Sequence, residues 1–255
     1  MQVFNKIVLL FRINLNYYFI RNIESNIISL FIINHLNIYI MNKEEIKGYV
    51  IYEGKSQING DNIVAIVTMN SNNIKTGNMA SMWIMNADIP PTQASKEGKD
   101  ISVCGDCKHR ASLNGACYVI LHHAPLQVYK SYKKGSYPTV TNLNVFEGIK
   151  MRFGAYGDPS AIPTQILVSI KAVIKNNTSY THQWKQGNEM LKKFSMASVD
   201  SIEEQKQAVS EGWRTFRVTD NLNDIQSNEI ICPNTTKNIK CIDCGLCSGN
   251  GLTCQ

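Results

Sequence analysis

The sequence predicts an α/β fold, a partial or complete βα barrel with mainly parallel strands and two cysteine-rich metal-binding loops. Three observations carry that expectation. From Lys150 onward, short apolar runs alternate with helical patterns at least three times, the signature of parallel strands joined by right-handed crossovers. A chain of 255 residues can bury a core large enough to fold without staples. The eight cysteines fall into two tight groups, which is the habit of metal ligands and not of a disulfide-dense secreted module.

Residues 1–40 stand apart, with no Gly, Ala, Pro, Asp, Thr or Cys and a bias to Ile, Asn, Leu and Phe. Their apolar runs are cut by Arg12, Asn14, Asn16, Arg21, Asn22 and Glu24, so none approaches the roughly 18 to 20 residues of a membrane span. No small-residue cleavage site follows an apolar region, which argues against a secretory signal. The stretch reads as a non-native or disordered extension, translated AT-rich sequence ahead of a start at Met41. An amphipathic helix on a membrane surface is the competing reading. A single α/β metal-binding domain, 41–255, is expected to follow. With no export signal, the expected compartment is cytoplasmic and reducing, with thiols available to metal, and no stable membrane association is expected.

Taken in order, "NIVAIVTM" (Asn62 to Met69) and "SMWIM" (Ser81 to Met85) are expected as buried strands. "IPPTQASKEGK" is a loop with a one-turn helix. "APLQVYKSYKKG" has Pro in its first turn, apolar Leu126, Val128, Tyr129 and Tyr132, and a stop at Gly135, so it predicts a helix. "KMRFGAYG" predicts a strand and a Gly-containing loop, and Pro159 to Lys175 a helix with Ile166, Leu167, Ile170, Val173 and Ile174 on one side. "SYTHQW" is a short strand, "NEMLKKF" a helical turn and "SMASVD" a strand. Ser201 and Glu204 form a capping box that opens a helix stopping at Gly212. "WRTFRV" and "EIICP" predict the last two strands.

In such a sheet, loops after the strands' C-terminal ends share one rim where ligands bind. Lys75, Thr76, Tyr156, Asp158, His182, Trp184, Asp200, Arg217, Asp220 and Cys232 are expected there, with the first cysteine group on the same edge. Cys241, Cys244 and Cys247 follow C-x2-C-x2-C, and Cys232 precedes Pro233; ferredoxin-type iron-sulfur sites use these elements. A closed four-cysteine zinc site is the alternative. Cys104, Cys107 and Cys117 supply three thiols, with Asp106, His109, His122, His123 or a C-terminal thiol as the fourth zinc ligand; a cluster on three thiolates would leave one iron open. One metal shared between the two groups is a further possibility.

Gly154 and Gly157 in "GAYGDP" let backbone approach a ligand, and Asp158 also suits a plain helix cap. "YTHQW" sets His182 and Trp184 on one strand face, with His182 a base, a ligand or a hydrogen-bonded core residue. Arg214 and Arg217 fall on opposite faces, so at most one points inward. Tyr156, Asp158, His182 and Arg217 are the candidate catalytic residues, and Lys75, Thr76, Gly154, Gly157 and Trp184 the candidate cofactor-binding ones.

From about Asn73 to Cys247 the chain resembles an uncharacterised family of bacteriophage-encoded cysteine-rich proteins. The resemblance rests on "KTGNM", "CGDCKHR", "GACYV", "YKKGSYP", "MRFGAYGDP", "YTHQW", "MASVD", "GWRTFRV", "CPNTTK" and "CIDCGLC". It implies a phage or prophage origin in a bacterial host and supplies no reaction. Family members continue past the last cysteine motif, which makes Cys254 an expected bystander. More distantly, a βα barrel with a three-cysteine loop is similar to radical S-adenosylmethionine enzymes, which implies that cofactor, although C-x2-C-x9-C departs from their C-x3-C-x2-C loop.

Two function classes follow. The first is an iron-sulfur enzyme of radical or redox type acting on a small-molecule or nucleic-acid substrate. The second is a zinc-stabilised binding protein without catalysis, whose net charge of +6, spread along the chain, permits weak attraction to nucleic acid without naming it as the partner.

Overall fold

The computed structural model describes residues 46–186 and 188–249. The expectations for residues 1–40 and for Cys254 lie outside the described residues. Lys47–Gln255 makes one compact unit.

Seven strands lie side by side in sequence order: β1 Gly48–Lys55, β2 Asn62–Thr68, β3 Ala80–Asn86, β4 Lys150–Tyr156, β5 Asn176–Thr181, β6 Met196–Val199 and β7 Thr215–Arg217. The first three form an antiparallel meander. From β3 to β7 every pairing is parallel. Sequential order is what a barrel would show if unrolled, but this sheet is open. The outer edge of β1 is taken by an extended segment: Val50 donates to Pro138 O at 3.0 Å, and Val140 donates to Val50 O at 2.9 Å. With that edge filled and β7 only three residues long, β1 and β7 do not close the ring. A complete barrel is therefore corrected to an open, mostly parallel α/β sheet.

Among the described residues, seven short helices accompany the sheet: α1 Pro91–Lys96, α2 Ile101–Cys104, α3 Ala124–Lys133, α4 Thr164–Val173, α5 Ile202–Ser210, α6 Pro233–Lys237 and α7 Cys241–Cys244. Strand β2 is enclosed along its centre, with Ile63 through Val67 fully buried. Met82, Ile84, Met151 and Phe153 share one core with Leu167 and Ile170 of α4. Each such fully buried side chain contributes about 1.5 to 3 kcal/mol. Arg152 pairs with Ser81 and Thr178 across the sheet, so it lies opposite the Met151 and Phe153 side of β4. Tyr180 and Phe216 continue that second face, with rings 4.8 Å apart.

The expected strands over Asn62, Ser81, Lys150 and Met196 and the helices over Ala124 and Ser201 are present. The Ser201 hydroxyl accepts from Glu204 N–H at 3.1 Å, while the Glu204 carboxylate reaches one residue further back, to Asp200 N–H at 3.0 Å. Other expectations change for local reasons. The helix expected from Pro159 splits into a turn, Pro159–Ala161, and α4, because Pro163 drives Ile162 into the extended region, φ −106° and ψ 157°. β5 ends at Thr181, and Trp184 opens a 3-10 turn. There the Asp158 carboxylate accepts the His182 N–H and the Thr181 hydroxyl accepts the Gln183 N–H, so side chains replace a strand partner. "EIICP" is not a strand but an approach to α6, consistent with a proline that cannot donate to a ladder. No helix among the described residues is long and apolar enough to cross a membrane.

Candidate metal centres

The C-terminal thiols are carried by a segment that folds by docking. Cys241 N–H donates to Lys75 O and Ile242 N–H to Thr76 O, both at 3.0 Å. The Lys150 ammonium binds Ile242 O, Ser179 N–H donates to Cys247 O at 3.0 Å, and the Arg214 guanidinium donates to Leu246 O at 3.0 Å. Gly245 turns the chain at φ 68° beside the Asn176 amide, a left-handed conformation that costs other residues about 1 kcal/mol. These anchors precede β3 (Lys75, Thr76), begin β4 (Lys150), lie at the start and middle of β5 (Asn176, Ser179) and precede β7 (Arg214). The segment thus sits at the N-terminal edge of the parallel strands.

Cys232, Cys241, Cys244 and Cys247 all line one cavity of about 330 Å³, together with Lys75, Tyr180 and Phe216. Burial pushes the Cys247 thiol up to about 11; a hydrogen bond with the Tyr180 hydroxyl opposes this, and the charges of Cys241, Cys232 and Cys244 add to it. Burial and Cys232 likewise raise Cys241, against the pull of Lys75 and Arg152. The four sulfurs are within electrostatic reach of one another, and all are free. Without a cation, Cys247 stays a neutral thiol at pH 7.

The first group is built at the other edge. α2 ends on Cys104, and Gly105, at φ 58°, redirects the chain so that Cys107 N–H reaches Cys104 O at 3.3 Å. A Cβ on Gly105 would lie 2.4 Å from the Gln183 amide carbon. That amide donates to Cys104 O at 3.3 Å and to Asp106 Oδ1 at 2.6 Å. Asp158 N–H donates to Val103 O at 2.6 Å. Asp200 accepts from His109 Nε2 at 2.7 Å and pairs with Lys108 at 3.2 Å. Asp158, Gln183 and Asp200 follow β4, β5 and β6, so this loop is tied to the C-terminal edge.

Burial drives the Cys104 thiol well up, with Asp100 and Cys107 adding to it, and takes Cys107 to about 11. Cys117 is exposed but close enough to raise both. The Tyr156 side chain is buried, and its hydroxyl has no hydrogen-bond partner among the described residues. That hydroxyl lies within electrostatic reach of Cys104, Asp100 and Cys117. Burial lowers His182, so the ring is neutral at pH 7, 5.9 Å from the His109 ring.

The two thiol groups therefore lie at opposite ends of the sheet, where a common rim was expected. Strand direction is the reason: the Lys75–Thr76 turn precedes β3, and β3 runs parallel to β4, so that turn belongs to the N-terminal edge. Lys75 and Thr76 hold the C-terminal thiol segment through their carbonyls. Gly154 and Gly157, at φ 69° and 80°, pack on backbone, with an added Cβ 2.6 Å from Gly157 O and 2.5 Å from Ile84 O respectively. Trp184 is core, 2% exposed. Asp158 accepts from Ser160 N–H, Thr181 Oγ1 and His182 N–H at 3.0, 2.8 and 2.7 Å, so it fixes a turn. Arg217 is held by both Glu229 oxygens at 2.7 Å. Of the four candidate catalytic residues, Tyr156 and His182 are brought to the first thiol group, while Asp158 and Arg217 are occupied in structure.

Sequence reasoning passed over Tyr180 and Arg152. A charged residue between Met151 and Phe153 in an apolar strand was the available signal for the latter. Among the described residues, no three His, Cys, Asp or Glu side chains are grouped to hold a metal ion as they stand. Comparison with known protein families, curated proteins and solved structures returned no match.

Proposed function

We propose that this chain is a metalloprotein with two thiolate centres: an iron-sulfur cluster bound by Cys232, Cys241, Cys244 and Cys247, and a more open centre at Cys104, Cys107 and Cys117. The observation that carries the proposal is the convergence of four free thiols from two segments on one cavity. A zinc ion with bonds of about 2.3 Å would need its sulfurs packed in a tight tetrahedral cage. A cluster is bulkier than a single ion, and the cavity of about 330 Å³ that these cysteines line offers it room. Tyr180 and Lys75 would then tune the C-terminal centre from outside the ligand shell.

The first centre supports a redox or radical enzyme. It lies at the edge where parallel sheets bind ligands, and three thiols with an orphan tyrosine hydroxyl leave room for a further ligand. The bacteriophage-type motifs make a phage-encoded protein in a bacterial cytoplasm the source that fits this reading. A zinc-stabilised binding protein is the second reading, favoured by the two C-x2-C-type turns closed on Gly105 and Gly245. Anaerobic expression followed by iron, acid-labile sulfide and zinc analysis separates them. Iron with matching sulfide and visible absorption is expected. A colourless protein with stoichiometric zinc overturns the iron-sulfur reading, and a protein without bound metal overturns both.

A further inference from the structure

A groove of about 760 Å³ lies on the sheet face away from the Met151 and Phe153 core. Its floor is Thr68, Ser81, Trp83 and Arg152; its walls are α3, the 70–73 loop and the Tyr118–Ile120 segment. The side chains that give it chemistry are Lys47, Trp83, Tyr118, His123, Tyr137 and Arg152. Among the described residues, no aspartate or glutamate lines it.

Two of these groups are already positioned. The Trp83 indole N–H donates to Thr68 Oγ1 at 2.9 Å, which holds the half-buried ring against the sheet. Arg152 donates to the Tyr118 hydroxyl at 2.6 Å, and its guanidinium carbon sits 5.9 Å from the centre of that ring. Arg152 has no carboxylate partner among the described residues. An arginine rooted in a strand and left without a counter-anion is a ready phosphate ligand, since its fork matches phosphate oxygens in pairs. Tyr118 is 73% exposed, a large aromatic surface that a stacked base would cover.

We propose that this groove binds a nucleoside phosphate, the base stacking between Tyr118 and Trp83 and the phosphate held by Arg152 and Lys47. Aromatic faces supply base affinity without sequence preference. The absence of a lining carboxylate keeps the groove's potential positive. The volume falls within the range of small-molecule sites. None of the site's named ligands is a cysteine, although Arg152 is also within electrostatic reach of Cys241, so the binding test is run on metal-free and metal-loaded chain alike.

Trp184 and Trp213 are 2% and 3% exposed, so Trp83 is the tryptophan at the groove and reports on it. Titration of the full chain with AMP or UMP, followed by tryptophan fluorescence and calorimetry, is expected to give saturable quenching. Trp83→Phe removes the quench while calorimetry still registers heat. Arg152→Gln weakens binding about tenfold or more, the scale of a charge-assisted phosphate contact. Tyr118→Ala, at an exposed position where folding is safe, weakens it at least about fivefold. Adenosine and inorganic phosphate, added separately, each bind more weakly than AMP. No saturable binding at millimolar nucleotide, equal affinity in wild type and both Arg152→Gln and Tyr118→Ala, or inorganic phosphate binding as well as AMP each overturns the proposal.

Discussion

At the scale of single residues, the clearest electrostatic commitment is Arg217 with Glu229. Their side chains are 6% and 14% exposed, and the carboxylate also accepts the Gln226 N–H at 2.9 Å. Removing one charge strands the other, so Glu229→Gln should destabilise the fold by about 2 to 4 kcal/mol, read as a lower urea midpoint at unchanged slope. The pH sign follows from Arg217, which holds Glu229 below its usual 4.5. The stabilisation is fully present above the unfolded value and is lost as pH falls through the lower folded one. The acid limb of a stability curve should flatten in Glu229→Gln; an unchanged limb would remove Glu229 from that account. Tyr156 predicts the opposite sign. Its buried hydroxyl has no partner among the described residues, so in metal-free protein Tyr156→Phe should raise stability by about 1 kcal/mol, measured by the same urea titration. A loss of stability would mean that the hydroxyl has a partner in solution.

At the scale of elements, Gly105 is the hinge on which the first thiol loop turns. Alanine there meets both a φ of 58° and the Gln183 amide at 2.4 Å, so Gly105→Ala should cost about 2 kcal/mol or more. Gly98→Ala also has a positive φ, 71°, but finds open space and should cost only about 1 kcal/mol. Thermal unfolding of the two variants checks the difference. Legibility in the sequence follows the same line between local and distant causes. β2, β3, β4 and the capped helix α5 were readable because apolar runs and Ser201 act within a few residues. β1 was not, since Gly48, Glu53, Gly54 and Lys55 break its pattern and its pairing with β2 does the specifying. The end of β5 was not, because it depends on Asp158, more than twenty residues earlier. The cysteines were legible by type and spacing. Their separation onto two edges was not, since it depends on β3 running antiparallel to β2 and parallel to β4.

At the scale of the whole molecule, opposite edges imply independence. The first thiol loop is tied to Asp158, Gln183 and Asp200, and the C-terminal segment to Lys75, Thr76, Ser179 and Arg214, so the two share no anchoring residue. Sites without shared partners contribute additively, to within about 0.5 kcal/mol. On the two-centre proposal, Cys244→Ser should abolish metal at the C-terminal centre and leave the first loaded, and Cys107→Ser should do the reverse. The double variant should lose the sum in both metal content and melting temperature. The C-terminal loss should be the larger in stability, because that segment has little internal structure beyond α6 and α7 and is held by docking, so its bound metal would act as folding energy. Metal analysis and calorimetry of the three variants decide the matter. If either single substitution strips both centres, the thiols serve one shared site, and the separation of the edges does not govern metal binding.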